Sequence, residues 1–282
     1  MRQGMLARSL WLKAAVLSAS LFAFPIQPCA QEAGDQARLA AILKKSAEYC
    51  RRLERAALDF ICYEEVTEET VRFTRKTTVY LYDYQFVRKD KKAQERRELI
   101  SVDGQKSKDR SSSLQTVMFL YENALFGPVG LLSESWQKVH DYRLIGEDKI
   151  GKEKAVVVWA TPKRELGEPH PYGRIWIKED DGSVLKIAWD QKSLRNYKEI
   201  EEFARSQDAE PSITAFSEYG YEKNGLRFPS RNYSEQGYIL SHGPKVANAR
   251  ISVVYKKYRF FMVETKVDVK PKPGFVIEED PD

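Results

Sequence analysis

The sequence predicts a mainly antiparallel β fold with helices (α+β): a long antiparallel sheet with an N-terminal helix packed on one face and a short inserted helix. Three observations lead there. Residues 77–87 (TTVYLYDYQFV) alternate strictly, with Tyr80, Tyr82, Tyr84 and Phe86 on one face and Val79, Leu81, Asp83 and Gln85 on the other. That is the two-residue period of a strand. Asp180-Asp181-Gly182 and Asn224-Gly225 each separate two runs rich in β-branched and aromatic residues, a hairpin signature. Helical spacing is confined to 35–58, 193–206 and a short stretch within 114–132.

Residues 1–30 read as a signal peptide. Arg2, Arg8 and Lys13 flank and precede an uncharged apolar run, 14–24; Pro25 breaks it, and Pro28-Cys29-Ala30 offers a small residue for cleavage after Ala30. The run is short for a transmembrane helix. The expected mature chain is therefore periplasmic or secreted and has no transmembrane span.

Residues 35–58 place Leu39, Ile42, Leu43, Cys50, Leu53 and Ala57 on one stripe, with Lys44, Lys45, Glu48, Arg51, Arg52 and Arg55 around it; this is an amphipathic helix. Phe60 to Thr67 follows as a strand. Cys50 lies roughly 12 Å before the helix end and Cys62 roughly 13 Å into the strand. A strand folding back along the helix brings the sulfurs level, so a Cys50–Cys62 disulfide is expected in an oxidising compartment.

The remaining strands are expected at 93–102, 142–150 paired with 155–160 around Gly151, 172–178 with 184–189, 213–221 with 226–233, 251–254 and 263–269. Ser193 to Ser206 shows helical spacing with an Asn196/Glu199 capping box. Leu114 to Leu132 is apolar on several sides and punctuated by Gly127-Pro128 and Gly130, which suits a short helix and an apolar loop. No composition shift divides 31–270, which is read as a single domain, and 271–282 is a Pro-rich, then acidic, tail.

Composition excludes several roles. With 46 Lys+Arg against 41 Asp+Glu the formal charge is +5, and removing Arg2, Arg8 and Lys13 leaves 43 − 41, or +2. That is too little for a nucleic-acid binder. The basic-rich stretch 88–110 reads as a solvated hairpin tip in preference to a phosphate or anionic-lipid patch. His140, His170 and His242 are scattered, Cys residues number three, and no G-x-S-x-G, H-E-x-x-H, P-loop or G-x-G-x-x-G is present. No metal, cofactor or catalytic residue is assigned, and an enzyme is not expected.

The aromatic face Tyr80/Tyr82/Tyr84/Phe86 is open to two readings: core beneath the helix, or the lining of an apolar cavity. Trp159 and Trp176 lie on neighbouring strands. Leu125, Phe126, Val129 and Leu131 are candidates for ligand contact, with 114–132 either a mobile lid over the sheet or a permanent plug within the core.

The signal peptide and the helix LAAILKKSAEYCRRLERAALDF (39–60) are followed by a run of strands. Within that run stand GRIWIKEDDGSVLKI (173–187) and the apolar-Pro hairpin YGYEKNGLRFP (219–229). Together these resemble the LolA/LolB-like, lipoprotein-sorting superfamily across most of 37–269. The resemblance implies an unclosed β-barrel whose concave face, lidded by helices, holds acyl chains or docks a partner. The expected function is an exported carrier for an apolar ligand, a lipid or a lipoprotein acyl chain. The alternative is an envelope interaction or stress-sensor module that docks another protein through the same fold.

Overall fold

The computed structural model describes residues 29–56, 58–71, 74–89, 92–110, 124–164 and 170–262. The signal-peptide run, residues 114–123 of the apolar segment, the strand expected at 263–269 and the acidic tail lie outside these.

The chain opens with helix α1 (Cys29–Arg55) and continues into strands β1 (Leu58–Val71), β2 (Arg75–Lys89), β3 (Lys92–Val102) and the short β4 (Gln105–Lys106). A 3-10 turn (Ala124–Phe126) leads into α2 (Gly127–Leu132) and α3 (Glu134–Gln137). Then come β5 (His140–Ile150), β6 (Glu153–Pro162), β7 (Gly173–Ile177) and β8 (Val184–Trp189), then α4 (Tyr197–Ser206) and β9 (Ala209–Glu218). The ribbon β10 (Tyr221–Lys223) and β11 (Leu226–Phe228) precedes β12 (Arg231–Leu240) and β13 (Lys245–Met262).

Eleven strands form one sheet in the order β4-β3-β2-β1-β13-β12-β9-β8-β7-β6-β5. Neighbours pair antiparallel, and among the described residues the outermost strands, β4 and β5, do not pair. The sheet is the expected open half-barrel. Alternation along its strands sends one set of side chains to the concave face: Phe60, Cys62, Glu64, Val66 and Glu68 from β1, and Tyr80, Tyr82, Tyr84 and Phe86 from β2 are all buried. In β13 the parity changes midway. Ala249, Ile251, Val253 and Tyr255 point inward, a bulge with Lys257 at φ 57° inserts an extra step, and Tyr258 and Phe260 then join the same core. Such a bulge also bends the strand, which helps curl the sheet.

The helices cover the β5–β9 half of the concave face: α1 packs on α2, β5 and β11, and α2 on β8. The close approach of α1 depends on Gly182 in the β7–β8 turn. It has φ +72°, and a Cβ there would lie 2.5 Å from the backbone nitrogen of Ser46. A buried network anchors the same region. The Arg227 guanidinium donates to both oxygens of Glu153 at 2.9 and 2.5 Å and to Ser183 Oγ at 3.2 Å. Its backbone N–H donates to the Tyr49 hydroxyl of α1 at 3.1 Å.

Three expectations need correction. Cys50 and Cys62 are buried free thiols, not a disulfide. The helix crosses the far half of the sheet instead of lying along β1, so Cys50 faces α2, where its thiol donates to the Pro128 carbonyl at 3.5 Å. Cys62 lies beside Tyr258 at the β13 bulge. The Asn224-Gly225 turn joins the separate β10–β11 ribbon, because the chain leaves the main sheet after Glu218 and re-enters at Arg231. Finally, α4 begins at Tyr197, and Asn196 stands at its N-cap position without a side-chain capping bond.

Candidate functional site

The concave face has three zones along its strands. At one end, Phe60 stacks on Phe86 (5.1 Å between centroids) and meets Phe228 edge-on at 5.6 Å, while Phe228 contacts Phe260 at 4.8 Å. These rings close that end as an aromatic floor. Phe126, from the 3-10 turn, lies 5.6 Å from Phe86, so the aromatic face and the apolar segment foreseen separately in the sequence meet here.

The middle zone is polar. Trp189 Nε1 on β8 donates to Ser217 Oγ on β9 at 3.3 Å. Ser217 stands opposite Asn232 on β12, and Asn232 Nδ2 donates to the Tyr255 hydroxyl on β13 at 3.0 Å. Tyr255 stands opposite Glu64 on β1. Arg97 on β3 grips Glu64 with two bonds, 2.7 and 3.2 Å, reaches Glu95 at 3.2 Å, and lies 4.7 Å over the Tyr84 ring. Burial pushes the Glu64 carboxyl up, and Arg97 opposes that shift. Six strands thus contribute to one belt across the face. Its members are dispersed between positions 64 and 255, and only their pairing in the sheet reveals it.

Beyond the belt the wall continues through Val66, Ile251, Tyr82 and Tyr80, whose hydroxyl donates to Glu68 at 3.1 Å. Burial pushes the Tyr80 and Tyr82 hydroxyls up to about 12. The far end is an apolar rim: Phe203 from α4 sits 5.6 Å from Tyr238, and Val246 stands opposite Tyr238 in the β12–β13 pairing. Phe203 (54%), Leu240 (41%) and Val246 (41%) are exposed, an apolar group of the kind that marks contact surfaces.

Of the ten candidate residues, Tyr80, Tyr82, Tyr84 and Phe86 form the wall. Leu125 and Leu131 are buried in the core, and Phe126 and Val129 pack against it. In this structure the segment 124–132 is tied into the core. Tyr219 donates to the Ala124 carbonyl at 2.9 Å, Tyr142 to that of Leu131, and Gln137 to those of Leu43 and Leu132 at 2.7 Å. Trp159 and Trp176 do not join the site. Their neighbours Val158, Ala160, Ile175 and Ile177 take the inward positions. Trp159 therefore meets Tyr172 on the outer face, and Trp176 donates to Asp148 at 2.8 Å. The inward tryptophan is Trp189, against Gly127.

The histidines are less scattered than their numbering suggests. His170 stacks on Trp136 at 4.1 Å and lies 5.1 Å from His140, whose Nδ1 is 2.9 Å from the Trp136 carbonyl. Burial, with His140 beside it, lowers the affinity of His170 for a proton. Among the described residues no three His, Cys, Asp or Glu side chains gather as a metal set, and no helix is long and apolar enough to cross a membrane. Burial pushes both thiols up, which disfavours the reactive thiolate.

No protein-family model matches the chain, and no curated protein sequence does. Among solved structures it is similar to a LolA superfamily protein of Nitrosomonas europaea, with 11% identity over 77% of this chain and 92% of that one and a TM-score of 0.34. A putative outer membrane lipoprotein-sorting protein domain from Vibrio parahaemolyticus gives 12%, 80%, 94% and 0.39. The MucA/MucB complex of Pseudomonas aeruginosa gives 13%, 76%, 98% and 0.23. The likeness is one of fold and carries no residue, ligand or partner over to this chain.

Proposed function

We propose that the protein is an exported binding protein of the cell envelope that holds an apolar or amphiphilic ligand, such as a lipid or an acyl chain, against the concave face of its half-barrel. The observation that carries this reading is the composition of the concave face beside α1 and α2. There a wall of Tyr80, Tyr82, Tyr84 and Phe86 runs from an aromatic floor to a rim of exposed Phe203, Leu240 and Val246. A rigid aromatic surface with a few placed polar groups is the usual make-up of a site for a small apolar molecule. The signal-like N-terminus supports export, and two deeply buried thiols with little thiolate character can stay reduced outside the cytoplasm.

The polar belt favours a second reading, in which the occupant is a peptide segment of another envelope protein. Its backbone N–H and C=O groups would find partners along Ser217, Asn232 and Tyr255.

Native mass spectrometry and lipid extraction of protein purified from its own envelope test the first reading, together with uptake of the fluorescent probe N-phenyl-1-naphthylamine by delipidated protein. Bound acyl lipid and saturable uptake are expected. Protein that carries no lipid and takes up no probe overturns it.

A further inference from the structure

The polar belt leaves one atom without a partner. Asn232 is 5% exposed, and its Oδ1 is buried with no hydrogen bond. The directions of the surrounding bonds make that atom an acceptor. Arg97 donates to Glu64, and the Asn232 Nδ2 group donates to the Tyr255 hydroxyl at 3.0 Å. The amide is thereby oriented, and its carbonyl oxygen is what remains. Asn232 stands opposite Val253 on one side and Ser217 on the other, placing it on the inward set of β12. A buried acceptor left unfilled carries a desolvation penalty, which a ligand donor would relieve.

We propose that Asn232 Oδ1 recognises the head of an amphiphile that presents a neutral N–H or O–H donor beside an apolar chain, as a fatty amide or long-chain alcohol does. This rests on the binding role proposed above. The same geometry disfavours two other heads. An ester has no hydrogen to offer, and a carboxylate would set its lone pairs against Oδ1 with the Glu64 carboxyl two strands away on the same belt. The chain would lie along the aromatic wall, with Val66, Ile251 and Tyr82 flanking the belt.

The test is displacement of N-phenyl-1-naphthylamine from the delipidated full chain by four ligands of equal chain length: dodecanamide, dodecan-1-ol, methyl dodecanoate and dodecanoate. The amide and alcohol are expected to displace the probe at concentrations about tenfold or more below the ester and the carboxylate. Asn232→Leu is expected to lose the preference, with the four ligands displacing whatever probe it binds at similar concentrations. Equal displacement by all four ligands in the unmodified protein overturns the inference while leaving the binding role standing, as does a preference that survives in Asn232→Leu. Absence of probe uptake by the unmodified protein instead overturns the binding role itself. If circular dichroism shows the leucine variant unfolded, Asn232→Ala takes its place, and the ligand order of the unmodified protein needs no variant.

Discussion

The ion pair between Arg227 and Glu153 makes an asymmetric prediction. The Arg227 side chain is 3% exposed, whereas its carboxylate partners Glu153 and Glu222 are 39% and 54% exposed. Glu153→Ala strands a buried cation. It removes two charge-assisted bonds and leaves the guanidinium with Glu222 at 3.2 Å, Ser183 Oγ and the Tyr219 carbonyl. Breaking a buried pair from that side costs about 3–5 kcal/mol, most of it from the charge left behind. Arg227→Met removes the buried charge instead. Glu153 still has Lys178 at 3.4 Å, and both carboxylates can turn to water. The loss is then nearer the value of charged hydrogen bonds, about 2 kcal/mol. The double variant should therefore be close to Arg227→Met alone and well short of the sum of the two, the non-additivity expected of residues in one network. Equilibrium urea denaturation followed by tryptophan fluorescence measures all three. If Arg227→Met costs as much as Glu153→Ala, or the double variant equals the sum, then the buried guanidinium does not set the balance and the argument fails.

Other outcomes follow from the same structure. Gly182→Ala combines a left-handed backbone with a collision against Ser46 of α1, and should cost at least about 2 kcal/mol in urea denaturation; a neutral result would mean that helix and turn are not in contact. Leu125→Glu buries an unpaired carboxylate in the core and should cost about 3 kcal/mol or more. A melting temperature within a few degrees of the parent would restore the lid reading of 124–132. Cys50 and Cys62 should alkylate fully only on denaturation, with or without reductant, because both thiols are free, buried and pushed up. Modification that requires reductant would show that they are bonded.

What the sequence determined by itself is local. The strict alternation of 77–87 assigned Tyr80, Tyr82, Tyr84 and Phe86 to one face because side-chain direction in a strand depends only on parity. The Asp180-Asp181-Gly182 turn was legible because few residues accept its backbone conformation. Local signals do not say which face of each strand turns inward: strand position alone groups Trp159 and Trp176 with the site, whereas the tertiary packing turns Trp189 inward instead. They did not give the path of α1 either. Helix and strand lengths permitted a Cys50–Cys62 bond, but the helix crosses to β5 and β11, where its apolar stripe finds α2 to pack against. The bulge at Lys257 resets the parity of β13 and brings Tyr258 and Phe260 inward with Tyr255, a step that a period of two cannot contain. The polar belt is the extreme case. Glu64, Arg97, Ser217, Asn232 and Tyr255 come from five strands and acquire a common meaning only through register. Register is set by the burial of one whole face of the sheet, so it belongs to the tertiary structure and not to any stretch of sequence.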